Sequence, residues 1–250
     1  MGKKDEHNII GAYSGYIGEL LDYYRSSLKA ANRSLRTINW YLEILERFFV
    51  FLSTEAPLKP VTELGPDELR VYILHLQQTE RWPNNPHIKK KGQLSPYSVQ
   101  GHVRAVKAFW SWLHEEGYID QNPLVKFPLP KVRKKIVQTL NMDQIKKLLN
   151  EVDKHTPLGS KYYCLLLLLL DTGLRIAELV SIKLADLDLV LGLVKVIGKG
   201  EKERVVPFYK ITRKELQKYI NHLRPKICAK ESPYLFPVAD DDHISVGSVY

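Results

Sequence analysis

The chain has 250 residues, of which 44% are hydrophobic and 26% are charged. This composition is typical of a globular protein and excludes a disordered or fibrous chain, and the length suffices for one or two domains. Basic residues outnumber acidic ones by 37 to 28, so the net charge is +9. A balance this basic indicates a polyanionic partner, either nucleic acid or an anionic membrane surface.

The excess positive charge is concentrated in one stretch of the sequence. Residues 81–135 contain 11 basic and 3 acidic residues, a net charge of +8, whereas the other 195 residues together carry +1. Such a concentration predicts a local anion-binding surface. The longest apolar run, 162–170, is far shorter than the roughly 20 residues of a membrane span, so no membrane segment is predicted.

Four helices are predicted in the first half of the chain, because apolar residues recur there every three or four positions. Asn32 or Ser34 can cap the second helix, and Pro66 and Pro96 suit the first turn of the third and fourth. The helices are expected at 16–30, from the second cap to about 52, at 66–80 and at 96–116.

A domain boundary is predicted after the fourth helix. Prolines at 123, 128 and 130 interrupt the helical pattern, and basic residues accompany them as far as Lys135. We therefore expect a helical domain over 13–122, a basic linker over 123–138 and a second domain over 139–250.

The second domain begins with helices and continues with strands. Asn141 and Gln144 have the spacing of a capping box. A later helix contains six consecutive leucines, 165–170, and is expected to be buried on all sides. Helices are predicted at 142–152, at 161–171, in a short piece from about 175, and at 212–223.

The stretch between these helices changes to β-branched residues, which predicts strands. Runs at 192–197 and 204–208 flank a turn rich in glycine and lysine, as in a β-hairpin, and a short strand is expected at 184–189. The expected fold class is therefore mainly α with a small antiparallel β-sheet.

Two motifs stand together in this domain. The first is TGLRIAEL at 172–179, and the second is VIGKG at 196–200 with KERVVP at 202–207. With these motifs the sequence resembles the tyrosine recombinase, or phage integrase, family, especially its Xer-like members, over roughly residues 15–240. The resemblance implies a helical core-binding domain of the SAM-like four-helix type, followed by an α+β catalytic domain.

The resemblance also implies a reaction. In this family a tyrosine attacks a DNA phosphate, forms a 3′-phosphotyrosyl link and releases a 5′-hydroxyl, with no metal or other cofactor. By position, Arg175 corresponds to the first catalytic arginine, and Glu178 supports it. Lys199 corresponds to the lysine that protonates the departing oxygen, although Lys202 competes for this role by sequence alone. Double-stranded DNA is the implied partner, and the complete enzymes assemble as tetramers on paired sites.

The residue chemistry agrees with these roles. A guanidinium stays charged at any working pH and can donate two hydrogen bonds to a phosphate, and a lysine at a hairpin tip can act as a general acid. Further residues are candidates for DNA contact, in which lysines and arginines position the backbone while Asn39 or Gln100 reads an adenine edge. These candidates are Arg36, Asn39, Lys89, Lys90, Lys91, Gln100, Arg104, Lys107, Lys134, Lys135, Lys202 and Arg204.

The end of the sequence departs from the family pattern. Neither the His-x-x-Arg motif nor the nucleophilic tyrosine in its usual context is found, because the segment around His222 and Arg224 does not match and Tyr250 is the last residue. The chain is therefore expected to be C-terminally incomplete, and to bind DNA without cleaving it. Three readings stay open: a truncated recombinase, an inactive accessory or regulatory DNA-binding protein, and a helical protein–protein module. The two isolated cysteines suggest no disulfide framework, which fits the cytoplasm.

Overall fold

The computed structural model of the chain describes residues 16–55, 59–80, 92–133, 136–198, 201–228 and 232–238. These residues form two compact units that divide between Ile136 and Val137. We call them the first and the second unit. The division falls within the linker that the sequence predicts.

The first unit contains four helices, which begin where the sequence supplies caps. Ser34 rather than Asn32 caps α2, because the Ser34 hydroxyl accepts the N–H of Thr37 while Asn32 adopts a left-handed φ of +52°. Ser95 caps α4 in the same way. The helices are α1 (Tyr16–Ala30), α2 (Leu35–Glu55), α3 (Pro66–Gln78) and α4 (Pro96–Glu115), with a 3-10 turn at Val61–Glu63.

Aromatic side chains fill the core of the first unit. Phe109 of α4 is fully buried, and its ring lies edge-on to Tyr24 of α1 and Phe49 of α2 at centroid distances of 5.2 and 6.0 Å. It also stacks on Trp112 at 5.6 Å. Such pairs add to the free energy of apolar burial, so they fix α2 and α4 rigidly against each other.

The first part of the predicted linker is not free, which corrects the boundary at 122. Leu124 and Phe127 are buried in the core of the first unit, because these apolar residues gain more by packing than by exposure. Two side chains of α4 hold the same segment: Gln100 donates to the carbonyl of Pro130 at 2.9 Å, and Lys107 donates to the carbonyls of Val125 and Phe127.

The second unit combines helices with a three-stranded antiparallel sheet in the order β1-β2-β3. Strands β2 and β3 form the predicted hairpin, with Val196 opposite Arg204. The elements are α5 (Met142–Asn150), α6 (Pro157–Thr172), α7 (Ile176–Val180), β1 (Leu187–Asp188), β2 (Leu193–Ile197), β3 (Glu203–Pro207) and α8 (Lys210–Lys218), followed by a π-helical turn (Tyr219–Leu223) and a 3-10 turn (Arg224–Lys226). The predicted fold class, mainly helical with a small antiparallel sheet, is confirmed.

Three details of the second unit differ from the sequence predictions. Helix α6 begins at Pro157, earlier than expected, because Thr156 caps it by accepting the N–H of Gly159. The predicted strand at 184–189 is mostly a 3-10 turn that leads into the short β1. Leu170 is 41% exposed, so the leucine run is not buried on all sides. Among the described helices, none is both long and apolar enough to cross a membrane.

Candidate active site and nucleic-acid interface

A glycine turn presents Arg175 to solvent. Gly173 ends α6 in the left-handed conformation, with a φ of +61°, and its N–H donates to the carbonyl of Leu169. The chain therefore reverses within two residues, and Arg175 becomes the N-cap of α7. Its side chain is 73% exposed.

Glu178 lies beneath Arg175 and connects it to the sheet. The carboxylate is 4% exposed and accepts four hydrogen bonds. The backbone N–H and Nη1 of Arg175 donate at 2.9 and 3.0 Å, and Nη1 and Nη2 of Arg204 on β3 donate at 2.9 and 2.7 Å. We call these three residues the Glu178 cluster. It joins the start of α7 to the hairpin across 26 positions of sequence.

The cluster keeps its carboxylate ionised. Hydrogen bonds from Arg204 lower the pKa of Glu178 to about 2, with further help from the backbone and side chain of Arg175, while burial opposes the shift. The pKa of Arg204 is raised, chiefly by the hydrogen bonds to Glu178. At neutral pH the cluster is thus one buried anion shared by two cations.

The hairpin passes close over this cluster at Gly198. A Cβ atom at this position would lie 3.1 Å from Nη1 of Arg204 and 3.3 Å from Oε1 of Glu178, so a side chain would press on the ion pair. The N–H of Gly198 donates to the carbonyl of Lys202 at 2.8 Å. A glycine therefore avoids this crowding where β2 leaves the cluster. Lys199, the next residue, lies outside the described residues, and its catalytic role stays a prediction.

Arg204 has a role that the sequence analysis did not foresee. It was predicted to contact DNA, but both of its terminal nitrogens bind Glu178. The sequence carries no local signal for this pairing, because the two residues lie on different elements. Lys202 is exposed beside it and remains a candidate for DNA contact.

The first unit presents a groove between α2 and α4. It has a volume of about 440 Å³, and its walls combine the arginines Arg47 and Arg104 with the aromatic rings of Trp40 and Tyr97. Cations interleaved with aromatic rings are typical of surfaces that bind nucleic acid.

Of the residues predicted to contact DNA in this unit, Arg36, Asn39 and Arg104 are exposed, whereas Gln100 and Lys107 hold the 125–130 segment. Five further candidates lie outside the described residues: Lys89, Lys90, Lys91, Lys134 and Lys135.

His102 lines the groove, but it does not supply positive charge. Its ring is buried, and Nδ1 lies 2.8 Å from the hydroxyl of Tyr72. Burial, helped by the positive charge of Arg47, lowers the pKa of His102 to about 4. The imidazole is therefore neutral at physiological pH, and the arginines are the groups in this groove that can bind phosphate.

Two buried cations of the second unit were missed by the sequence analysis. Arg224 donates to the carbonyls of Ser232 and Tyr234, and Nζ of Lys161 donates to the carbonyl of Pro237 at 3.2 Å. Burial lowers the pKa of Lys161. Their partners are backbone carbonyls, which no side-chain pattern reveals. Both residues hold the 232–238 segment against the unit. In the described ranges no group of three or more His, Cys, Asp or Glu side chains could hold a metal ion.

Comparison with known proteins finds similarity to integrases. A sequence model described as the phage integrase family matches residues 138–250. The sequence is 30% identical over 197 residues to the tyrosine recombinase XerD of Listeria innocua serovar 6a, covering 74% of this chain and 66% of that protein. It is 31% identical over 217 residues to the tyrosine recombinase XerC of Oceanobacillus iheyensis, covering 87% of this chain and 66% of that protein. The chain thus spans just under two thirds of the length of these relatives.

Solved structures show the same fold. A lambda integrase tetramer bound to a Holliday junction is similar with a TM-score of 0.67 at 15% sequence identity, covering 100% of this chain and 67% of that chain. The Tn1549 transposon integrase in complex with circular intermediate DNA is similar with a TM-score of 0.63 at 18% identity, covering 92% of this chain and 74% of that chain. At such identities the likeness supports the fold alone.

Proposed function

We propose that the chain is a member of the phage integrase family of tyrosine recombinases, as its similarity to XerD and XerC supports. In this proposal it binds duplex DNA and takes part in site-specific strand exchange. The observation that carries this proposal is the Glu178 cluster, in which an exposed arginine is held by a buried carboxylate beside a lysine-bearing hairpin. An arginine fixed in this way is a preorganised donor for a phosphate.

The proposed chemistry is phosphoryl transfer. In the complete enzyme a tyrosine oxygen attacks phosphorus, the bond to the 5′-oxygen breaks, and the DNA keeps a 3′-phosphotyrosyl link. Arg175 donates hydrogen bonds to the non-bridging oxygens, on which negative charge accumulates in the five-coordinate transition state. Lys199 gives its proton to the departing 5′-oxygen. Glu178 orients Arg175 without touching the phosphate.

The proposed partner is double-stranded DNA. The exposed residues Arg36, Asn39 and Arg104 on α2 and α4 support a contact by the first unit. Assembly of the complete enzyme as a tetramer on paired sites is part of the proposal, by analogy with the lambda integrase of the same fold, which is a tetramer bound to a Holliday junction. We propose a cytoplasmic location, in keeping with the proposed DNA partner and with a sequence that contains only two cysteines, Cys164 and Cys228.

The salt dependence of DNA binding tests this proposal. Each phosphate contact adds about 0.9 to the slope of log affinity against log salt concentration, so replacing Lys89, Lys90 and Lys91 with alanine should reduce the slope by roughly 2–3. The measurement is fluorescence anisotropy of the full chain on a random duplex of about 30 base pairs between 50 and 200 mM salt.

A matched control removes the same charge from another surface. Lys210, Lys214 and Lys218 are exposed on α8, and their replacement by alanine should leave the slope nearly unchanged. If the Lys89–Lys91 variant has the same slope as the wild-type chain, these lysines do not contact DNA. No binding at 50 mM salt would overturn the DNA proposal and favour a protein–protein module.

A second candidate function is that of an inactive accessory or regulatory DNA-binding protein. The 250 residues contain no His-x-x-Arg motif. A suicide assay separates the two candidates: the chain is incubated with nicked duplexes of random flanking sequence, and covalent adducts are sought on a denaturing gel. We expect binding without an adduct. A covalent adduct would instead show that this chain contains its own nucleophile.

A further inference from the structure

We infer that Arg204 is a positioning residue that keeps the guanidinium of Arg175 available to a DNA phosphate, an inference that rests on the proposed function. It acts through Glu178 and does not itself contact the phosphate. The inference replaces the expectation that Arg204 binds DNA directly.

The division of hydrogen bonds at Glu178 supports this role. Arg204 binds both carboxylate oxygens, through Nη1 at 2.9 Å and Nη2 at 2.7 Å. The side chain of Arg175 reaches only Oε1, through Nη1 at 3.0 Å, and is 73% exposed. Most of the side-chain hydrogen bonds to the Glu178 carboxylate therefore come from Arg204 on β3. Among the described residues, the Nε and Nη2 donors of Arg175 have no hydrogen-bond partner, so they can bind a ligand.

Removal of Arg204 would change this division. The Glu178 carboxylate, which is 4% exposed, would then have Arg175 as its single charged partner among the described residues. Arginine and carboxylate groups prefer a bidentate arrangement with two parallel hydrogen bonds, and an under-satisfied buried anion is costly. The guanidinium of Arg175 would therefore turn inward onto Glu178, and fewer of its donors would face a phosphate.

The same arginine also ties the hairpin to α7. Arg204 pairs with Val196 across the β2–β3 ladder, and its Nη1 lies against the backbone at Gly198, directly before Lys199. A single side chain thus links the start of α7, where Arg175 lies, to the β2–β3 hairpin. The neighbouring pair of Lys195 and Glu203, at 3.6 Å, is exposed and makes no such link.

Phosphate binding at Arg175 tests the inference. The full chain is labelled with 15N-arginine, and the Nε–Hε signal of Arg175 is assigned by its loss in Arg175→Lys. Inorganic phosphate is then titrated at constant ionic strength. We expect a saturable shift in the wild type, affinity lower by about tenfold or more in Arg204→Ala, and an intermediate affinity in Arg204→Lys, which keeps the charge but not the fork of donors.

A double variant separates positioning from a merely structural role. If Arg204 acts through the charge of Glu178, then Glu178→Gln in the Arg204→Ala background releases Arg175, and the affinity for phosphate returns towards the wild-type value. A structural defect would not be repaired by this second change. Arg213→Ala is the matched control, because Arg213 donates to the carbonyl of Val190 and has no contact with Glu178.

The outcomes distinguish the inference from the proposed function. Wild-type affinity in Arg204→Ala, or no recovery in the double variant, overturns the role of Arg204 and leaves the proposed function standing. If the wild-type Arg175 signal does not respond to phosphate, Arg175 does not bind this anion. That result would contradict both the role of Arg204 and the proposed function. If Arg204→Ala does not fold, the comparison rests on Arg204→Lys, for which wild-type affinity overturns the inference.

Discussion

Replacing Arg224 with alanine should destabilise the second unit by about 3–5 kcal/mol, because it removes hydrogen bonds from a charged group to two backbone carbonyls, each of which contributes roughly 1.5–3 kcal/mol. The guanidinium is buried, and it donates to the carbonyl of Tyr234 at 3.2 and 2.7 Å and to that of Ser232. Water cannot replace these bonds at a buried site without opening the packing around Leu235 and Phe236, which are fully buried.

The position of the tryptophans makes this prediction easy to check. All four, at 40, 82, 110 and 112, precede the division between the units, so their fluorescence reports the first unit. Urea unfolding followed by far-UV circular dichroism should show an earlier transition in Arg224→Ala, while the fluorescence transition stays in place. Hydrogen exchange should accelerate first in the 232–238 segment.

The control is Arg213→Ala, which removes a single hydrogen bond to the carbonyl of Val190 at an exposed turn. Its effect should stay below about 1 kcal/mol. A similarly small effect in Arg224→Ala would mean that Arg224 is not the residue that holds the 232–238 segment.

Structural features that depend on neighbouring residues in the chain were predicted well from the sequence. The helices of the first unit and the hairpin follow from apolar periodicity and from caps such as Ser95, which acts within one turn of its own helix. The exposure of Arg175 is local too, since Gly173 lies two residues before it. These features need no knowledge of the rest of the chain.

Features that depend on distant partners were not predictable in this way. Arg204 looked like a DNA contact because its sequence surroundings are basic, and only the fold brings it to Glu178. The 123–130 segment looked like a linker because of its prolines, although Leu124 and Phe127 anchor it in the first unit. In both cases a long-range contact gives the residue a partner that local composition does not reveal.

Replacing Glu178 with glutamine should remove much of the acid sensitivity of the second unit and lower its stability at neutral pH by about 2–3 kcal/mol, through the loss of charge-assisted hydrogen bonds. Arg204 and Arg175 lower the pKa of Glu178 to about 2 in the folded chain, against 4.5 for an ordinary glutamate. The contribution of ionised Glu178 to the free energy of unfolding is therefore fully present above pH 4.5, and it is lost as the pH falls towards 2.

The size of this acid effect follows from the exposure of the two arginines. Because the side chains of Arg175 and Arg204 are 73% and 42% exposed, screening by solvent reduces the acid effect to about 1–2 kcal/mol between pH 5 and pH 2. The measurement is urea unfolding by circular dichroism across this range, with tryptophan fluorescence tracking the first unit as an internal reference. The wild-type second unit should lose stability more steeply than the Glu178→Gln variant. Parallel pH profiles would mean that Glu178 is not the carboxylate whose protonation weakens the unit, and the cluster would then not be held together by its charge.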